Sequence, residues 1–115
     1  MDIRIRDVGD VKILDVSGKI TLGEGTKALR DQVKGLLNSG QKKLLLNLAD
    51  VNYIDSSGLG ELVSCRVAAD NQGAKLKLVN LTKKLQELMA ITKLLTVFEV
   101  FEDETPAVAS FGKTA

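Results

Sequence analysis

Leu44-Leu45-Leu46-Asn47-Leu48 is a short, nearly continuous apolar run entered through Lys42-Lys43. A strand reads this way when both of its faces are covered, so the segment is expected at the centre of a sheet. Upstream of it, Leu29, Val33, Leu36 and Leu37 recur at helical spacing until Ser39-Gly40 interrupts them, which predicts a helix over about 24–38. Further upstream, Ile3 and Ile5 alternate with Asp2, Arg4 and Arg6; Gly9-Asp10 breaks the pattern, and Val11, Ile13, Leu14 and Val16 follow before Gly18. Two strands joined by a tight turn fit that pattern. Downstream, residues 49–58 read as a loop. Leu59, Leu62, Val63 and Val67 then form one stripe of a second helix over about 57–71, with Glu61, Ser64, Asp70 and Asn71 off the stripe and Gly73 closing it. Lys75-Leu76-Lys77-Leu78-Val79 alternates as a strand, Leu85, Leu88 and Met89 share a face of a third helix, and residues 97–101 supply a last strand. Thr105-Pro106 offers an N-cap and a first helical position for a terminal segment over 107–111 that either docks as a helix or frays.

The order strand, strand, helix, strand, helix, strand, helix, strand, helix predicts an α/β fold in one domain over residues 1–115. Its mixed β-sheet has an N-terminal hairpin, and its parallel strands are joined by right-handed helical crossovers. Ligands of open α/β sheets collect beyond the carboxyl ends of the strands, so the segment after the central strand is the first candidate site.

Composition removes many functions. The 115 residues hold 16 Lys+Arg against 15 Asp+Glu, no His, one Cys and four aromatic residues (three Phe, one Tyr). A net charge of +1 with so few rings gives neither a basic field nor stacking platforms, so no nucleic acid partner is expected. Without His, the commonest general base and metal ligand is missing, so no enzyme activity, metal or cofactor is expected. Cys65 has no internal disulfide partner and reads as a small apolar helix residue. No apolar run approaches the 18 or so residues of a membrane span. With no secretory signal pattern either, the expected compartment is the cytoplasm.

The candidate site ends in Asp55-Ser56-Ser57-Gly58-Leu59-Gly60. A carboxylate and two hydroxyls stand where the first N–H groups of a helix lack partners, and capping alone accounts for them. It does not account for two glycines in the first turns, each costing about 0.5–1 kcal/mol relative to Ala. Close approach of another backbone or of a phosphate would compensate.

Together with Leu46-Asn47-Leu48, Val51 and the element order, the Ile54-Asp55-Ser56-Ser57-Gly58-Leu59-Gly60 segment resembles the STAS family, and within it the bacterial anti-sigma factor antagonists. The resemblance covers nearly the whole chain. It implies that Ser56, directly after the Asp, is phosphorylated by an anti-sigma factor with serine kinase activity, Ser57 being the fallback. It further implies that the unphosphorylated form binds that anti-sigma factor and frees a sigma factor, and that a PP2C-type phosphatase restores the active form. The partner surface so implied comprises Asp55, Ser56, Ser57, Gly58, Leu59 and Gly60, with Thr21 and Glu24 from the loop after the second strand. That loop, Gly18-Lys19-Ile20-Thr21-Leu22-Gly23-Glu24-Gly25, differs from the acidic residue and His or Thr that many antagonists carry there.

Two other roles remain open on sequence. One is a STAS scaffold or accessory subunit of a stress-signalling or transport complex without a phosphate switch. The other is a nucleotide-binding enzyme, which lacks any Walker or dinucleotide glycine motif. Tyr53 is either a partner anchor or a strand-end ring resting on the core with a wet hydroxyl. Monomer is the default state.

Overall fold

A computed structural model shows how these segments assemble; the structure describes residues 1–112. Five strands form one sheet in the order β1-β2-β3-β4-β5. β1 (Asp2–Val8) and β2 (Val11–Ile20) make the antiparallel hairpin, turning at Gly9 with φ +60°. β3 (Lys43–Ile54), β4 (Lys75–Val79) and β5 (Val100–Phe101) then add in parallel. Leu44, Leu45, Leu46 and Leu48 are all buried, so β3 is covered on both faces as its composition requires.

Three helices lie on one face: α1 (Glu24–Asn38), α2 (Ser56–Asn71) and α3 (Lys83–Ile91). Their buried Leu29, Val33, Leu37, Leu59, Leu62, Leu85 and Met89 pack on Leu14, Val16, Leu44, Leu46, Leu48, Leu76 and Leu78. This one-sided stack follows when each crossover has the same hand and each new strand joins on the same side. α4 (Glu104–Phe111) returns to cover the other face, where Ala107 and Phe111 pack on Val11, Ile13, Leu45 and Val79. The terminal helix is therefore docked, not frayed.

Several boundaries differ from the sequence expectation. The loop expected over 49–58 is mostly strand: β3 continues to Ile54 beside β2, past register shifts after Asp15 and Gly18. Within that extension Val51 and Ile54 are buried while Asn52 and Tyr53 are both exposed, so the segment lacks the strict alternation that marks a strand in sequence. α2 starts at Ser56, one residue early, because Asp55 is its cap. Its buried stripe is Leu59, Leu62, Cys65 and Ala69, while Val67 turns outward; the small Cys and Ala fill the inward positions. The last strand shrinks to two residues because Leu94–Thr96 forms a 3₁₀ turn and Phe98 is drawn into the core. α4 starts two residues before Pro106, with Asp103 at the N-cap position but without a side-chain capping bond, and Pro there still costs no intrahelical bond.

Candidate functional site

The parallel strands β2 and β3 end side by side, with Ile20 opposite Ile54, and each passes directly into the approach to a helix. Asp55 joins the two connections. One carboxylate oxygen accepts the N–H of Gly58 at 2.8 Å as the α2 N-cap, and the other accepts the N–H of Leu22 at 3.0 Å from the loop before α1. These two main-chain donors hold its pKa below the ordinary carboxylate value, the bond from Leu22 contributing most. The same loop is secured from within: the Gly23 N–H donates to Thr26 Oγ1 at 3.2 Å, and the Thr26 N–H to the Thr21 carbonyl at 3.1 Å.

The two motif glycines have different reasons. A Cβ on Gly58 would lie 2.1 Å from the Ile20 carbonyl oxygen and 2.6 Å from Ile54 Cγ1. Close approach of β2 to the helix start therefore requires glycine at this position. A Cβ on Gly60 would meet nothing within 4 Å, so the fold gives no reason for glycine there.

Ser56 is the first residue of α2 and is exposed; its hydroxyl makes no hydrogen bond within the described residues. Ser57 beside it is half-buried, Gly58 and Leu59 are buried, and Gly60 is exposed. Of the facing loop, Glu24 is exposed and Thr21 half-buried. Ser56, Gly60 and Glu24 are thus available to a partner, whereas Gly58 and Leu59 lie beneath them as support.

Two features, Leu22 and Glu61, escaped the sequence, which leaves Tyr53 open between two readings. Leu22 is 76% exposed, an isolated apolar side chain carried out of the loop whose main chain Asp55 holds. Tyr53, at the end of β3, is 48% exposed. Glu61, placed off the buried stripe, is only 6% exposed and is gripped at 2.8 and 3.1 Å by Arg30 of α1. An apolar loop residue flanked by Thr and Gly was the available signal for Leu22; nothing local marks Glu61, whose partner is 31 residues away. Cys65 is buried beside Glu61, and burial followed by that charge pushes its thiol up to about 12, leaving it protonated and inert. No cluster of three or more His, Cys, Asp or Glu able to hold a metal occurs among the described residues. No helix there is long and apolar enough to cross a membrane.

The STAS domain family model matches residues 2–107. The chain belongs to the STAS domain family. Among its STAS relatives, the anti-sigma-B factor antagonist of Bacillus subtilis (strain 168) is 33% identical over 91 residues, 79% of this chain and 81% of that protein. The crystal structure of a proposed anti-sigma factor antagonist from Thermotoga maritima superimposes with a TM-score of 0.86 at 26% identity, covering 94% of this chain and 92% of that one. The phosphorylated form of the Bacillus cell fate determinant SpoIIAA shares the fold, with a TM-score of 0.74 at 13% identity over 96% of this chain and 99% of its own. STAS antagonists of this type are binding proteins without enzyme activity.

Proposed function

We propose that this chain is an anti-sigma factor antagonist that works in the cytoplasm, with Ser56 as its switch. The unphosphorylated form binds an anti-sigma factor of the serine-kinase type and releases a sigma factor. The kinase transfers the γ-phosphoryl group of ATP to Ser56 Oγ, which loses its proton as ADP departs, and binding is lost. A PP2C-type phosphatase hydrolyses the phosphoester and restores the binding form.

The observation that carries this reading is the placement of Ser56. Its hydroxyl is exposed and unbonded at a helix N-terminus, while the neighbouring Asp55 has both carboxylate oxygens committed to main-chain donors. With its oxygens occupied, Asp55 acts as a cap. A hydroxyl without a nearby base is a substrate, to be activated by the kinase's own machinery, and not a nucleophile for the chain's own chemistry. Phosphate adds about −1.5 to −2 charges at pH 7, and a helix N-terminus accommodates them, so the domain stays folded. The penalty falls on the complex: burying that charge beside Asp55 in a dry interface is costly, and about 3 kcal/mol lowers affinity roughly a hundredfold.

Phosphopeptide mapping of protein recovered from cells tests the site, and Ser56→Asp tests the switch. Phosphate at Ser56 is expected, with Ser57 the fallback. Loss of anti-sigma factor binding is expected for Ser56→Asp but not for Ser56→Ala. A Ser56→Asp chain that binds as tightly as the unmodified one would sink the proposal.

A further inference from the structure

A small groove bordered by Tyr53 lies between the end of β3 and α3. Val51, Ile54 and Leu85 are its buried members, Leu88 is half-buried, and Tyr53 and Lys84 stand at its margin. It encloses about 50 Å³, far below the roughly 300 Å³ at which small-molecule sites begin, so it has room for the end of one side chain and not for a nucleotide.

Two adjacent lysines stand beside the groove. Lys83 and Lys84 are exposed and make no ion pair among the described residues. They occupy the first turn of α3, which holds no acidic residue; its one acidic side chain, Glu87, comes a turn later. Cations at a helix N-terminus oppose the macrodipole, so the fold itself gains nothing from two lysines there. An acidic group docked against them would offset both charges.

We propose that this groove receives an apolar side chain from an acidic segment of the same protein that covers Ser56. This rests on the reading of the 55–60 helix start as a protein interface, since Tyr53 at the groove margin is only three residues before Ser56. The partner footprint then runs from Leu22, across Ser56 and Tyr53, to Leu88 and the lysines of α3. Contact at the groove supplies apolar burial and steering that do not depend on the Ser56 hydroxyl.

The test places a photo-crosslinking residue at Leu22 in one chain and at Lys84 in another, both expressed in the native host. The protein captured from Leu22 is then purified as the probe. The same protein is expected from both positions. The Lys84 crosslink should map to a segment with an aliphatic or aromatic residue within four positions of Asp or Glu. Calorimetry should show at least a tenfold loss of affinity for Lys83→Glu/Lys84→Glu. Lys75→Glu, at the far end of the sheet, should leave affinity unchanged. Both lysines are exposed, so the double variant is expected to fold, and circular dichroism checks that it does.

The proposal is overturned if no protein is common to the two positions, if the Lys84 crosslink maps to a basic segment, or if the double variant binds normally. A common protein that is not an anti-sigma factor refutes the functional reading above, while the mapping and affinity measurements still decide the groove.

Discussion

Gly58 and Gly60 stand two residues apart in the same helix, and the structure predicts opposite outcomes when each becomes alanine. At Gly58 the new methyl would sit 2.1 Å from a main-chain oxygen of β2, well inside contact distance. Relief requires moving β2 or α2, and either shift also pulls on the Asp55 clamp, whose own N–H points at the same Ile20 oxygen at 3.4 Å. Overpacking of this kind costs about 1–3 kcal/mol, and contact with a backbone oxygen puts it at the upper end. Gaining alanine's helix propensity returns about 0.5–1 kcal/mol, leaving a net loss of about 2 kcal/mol. With about 2.1 cal/mol/K of unfolding entropy per residue, 115 residues lose roughly 8 °C in Tm for that change. At Gly60 the methyl meets open space, so only the propensity gain remains and Tm should rise by about 2–4 °C. Thermal unfolding followed by circular dichroism, with urea titration for free energies, measures both. A Gly58→Ala chain melting at or above the parent would refute the steric argument, and a Gly60→Ala chain melting below it would refute the claim of open space.

Other consequences are equally direct. Asp55→Ala should raise the amide exchange rates of Leu22 and Gly58 together, since one carboxylate protects both; NMR exchange with only one of the two affected would break the clamp reading. Asp10, Asp15 and Asp55 are held below 3.8 chiefly by Lys43, Arg6 and the Leu22 N–H respectively. The unfolded chain therefore takes up protons first as pH falls. Their contribution is complete above the unfolded value and lost as pH drops through the folded values. Urea titrations should show a plateau above about pH 5 and a decline below about pH 4, shallower in Asp15→Asn. Phe111→Ala should cost about 3–5 kcal/mol by denaturant titration, because its ring is 1% exposed between α4 and the sheet. A loss under 1 kcal/mol would mean that α4 is not part of the cooperative unit.

What the sequence disclosed follows from where its signals are local. The covered central strand shows in Leu44-Leu45-Leu46, and the first helix in Leu29, Val33 and Leu37, because the apolar pattern itself is contiguous or recurs within a turn. The candidate site is legible because its motif, Asp55 to Gly60, is contiguous. What stayed hidden depends on distant partners. The strand over 49–54 is held by β2 residues 17–20, and Glu61 is buried only because Arg30 of another helix meets it. Close backbone approach compensates for Gly58 but not for Gly60, and nothing in the sequence divides the two between a β2 carbonyl and open space.

Asp55 fixes the loop after β2 through the main-chain N–H of Leu22, and Thr26 holds Gly23 in the same way. Neither contact reads a side chain at position 22 or 24. Mutation at position 22 breaks neither contact, so duplicated copies of this gene could drift apart there and still fold alike. Parallel pathways in one cell could then be insulated from crosstalk by changing a few exposed groups, while the carboxylate and Gly58 beneath them stay fixed.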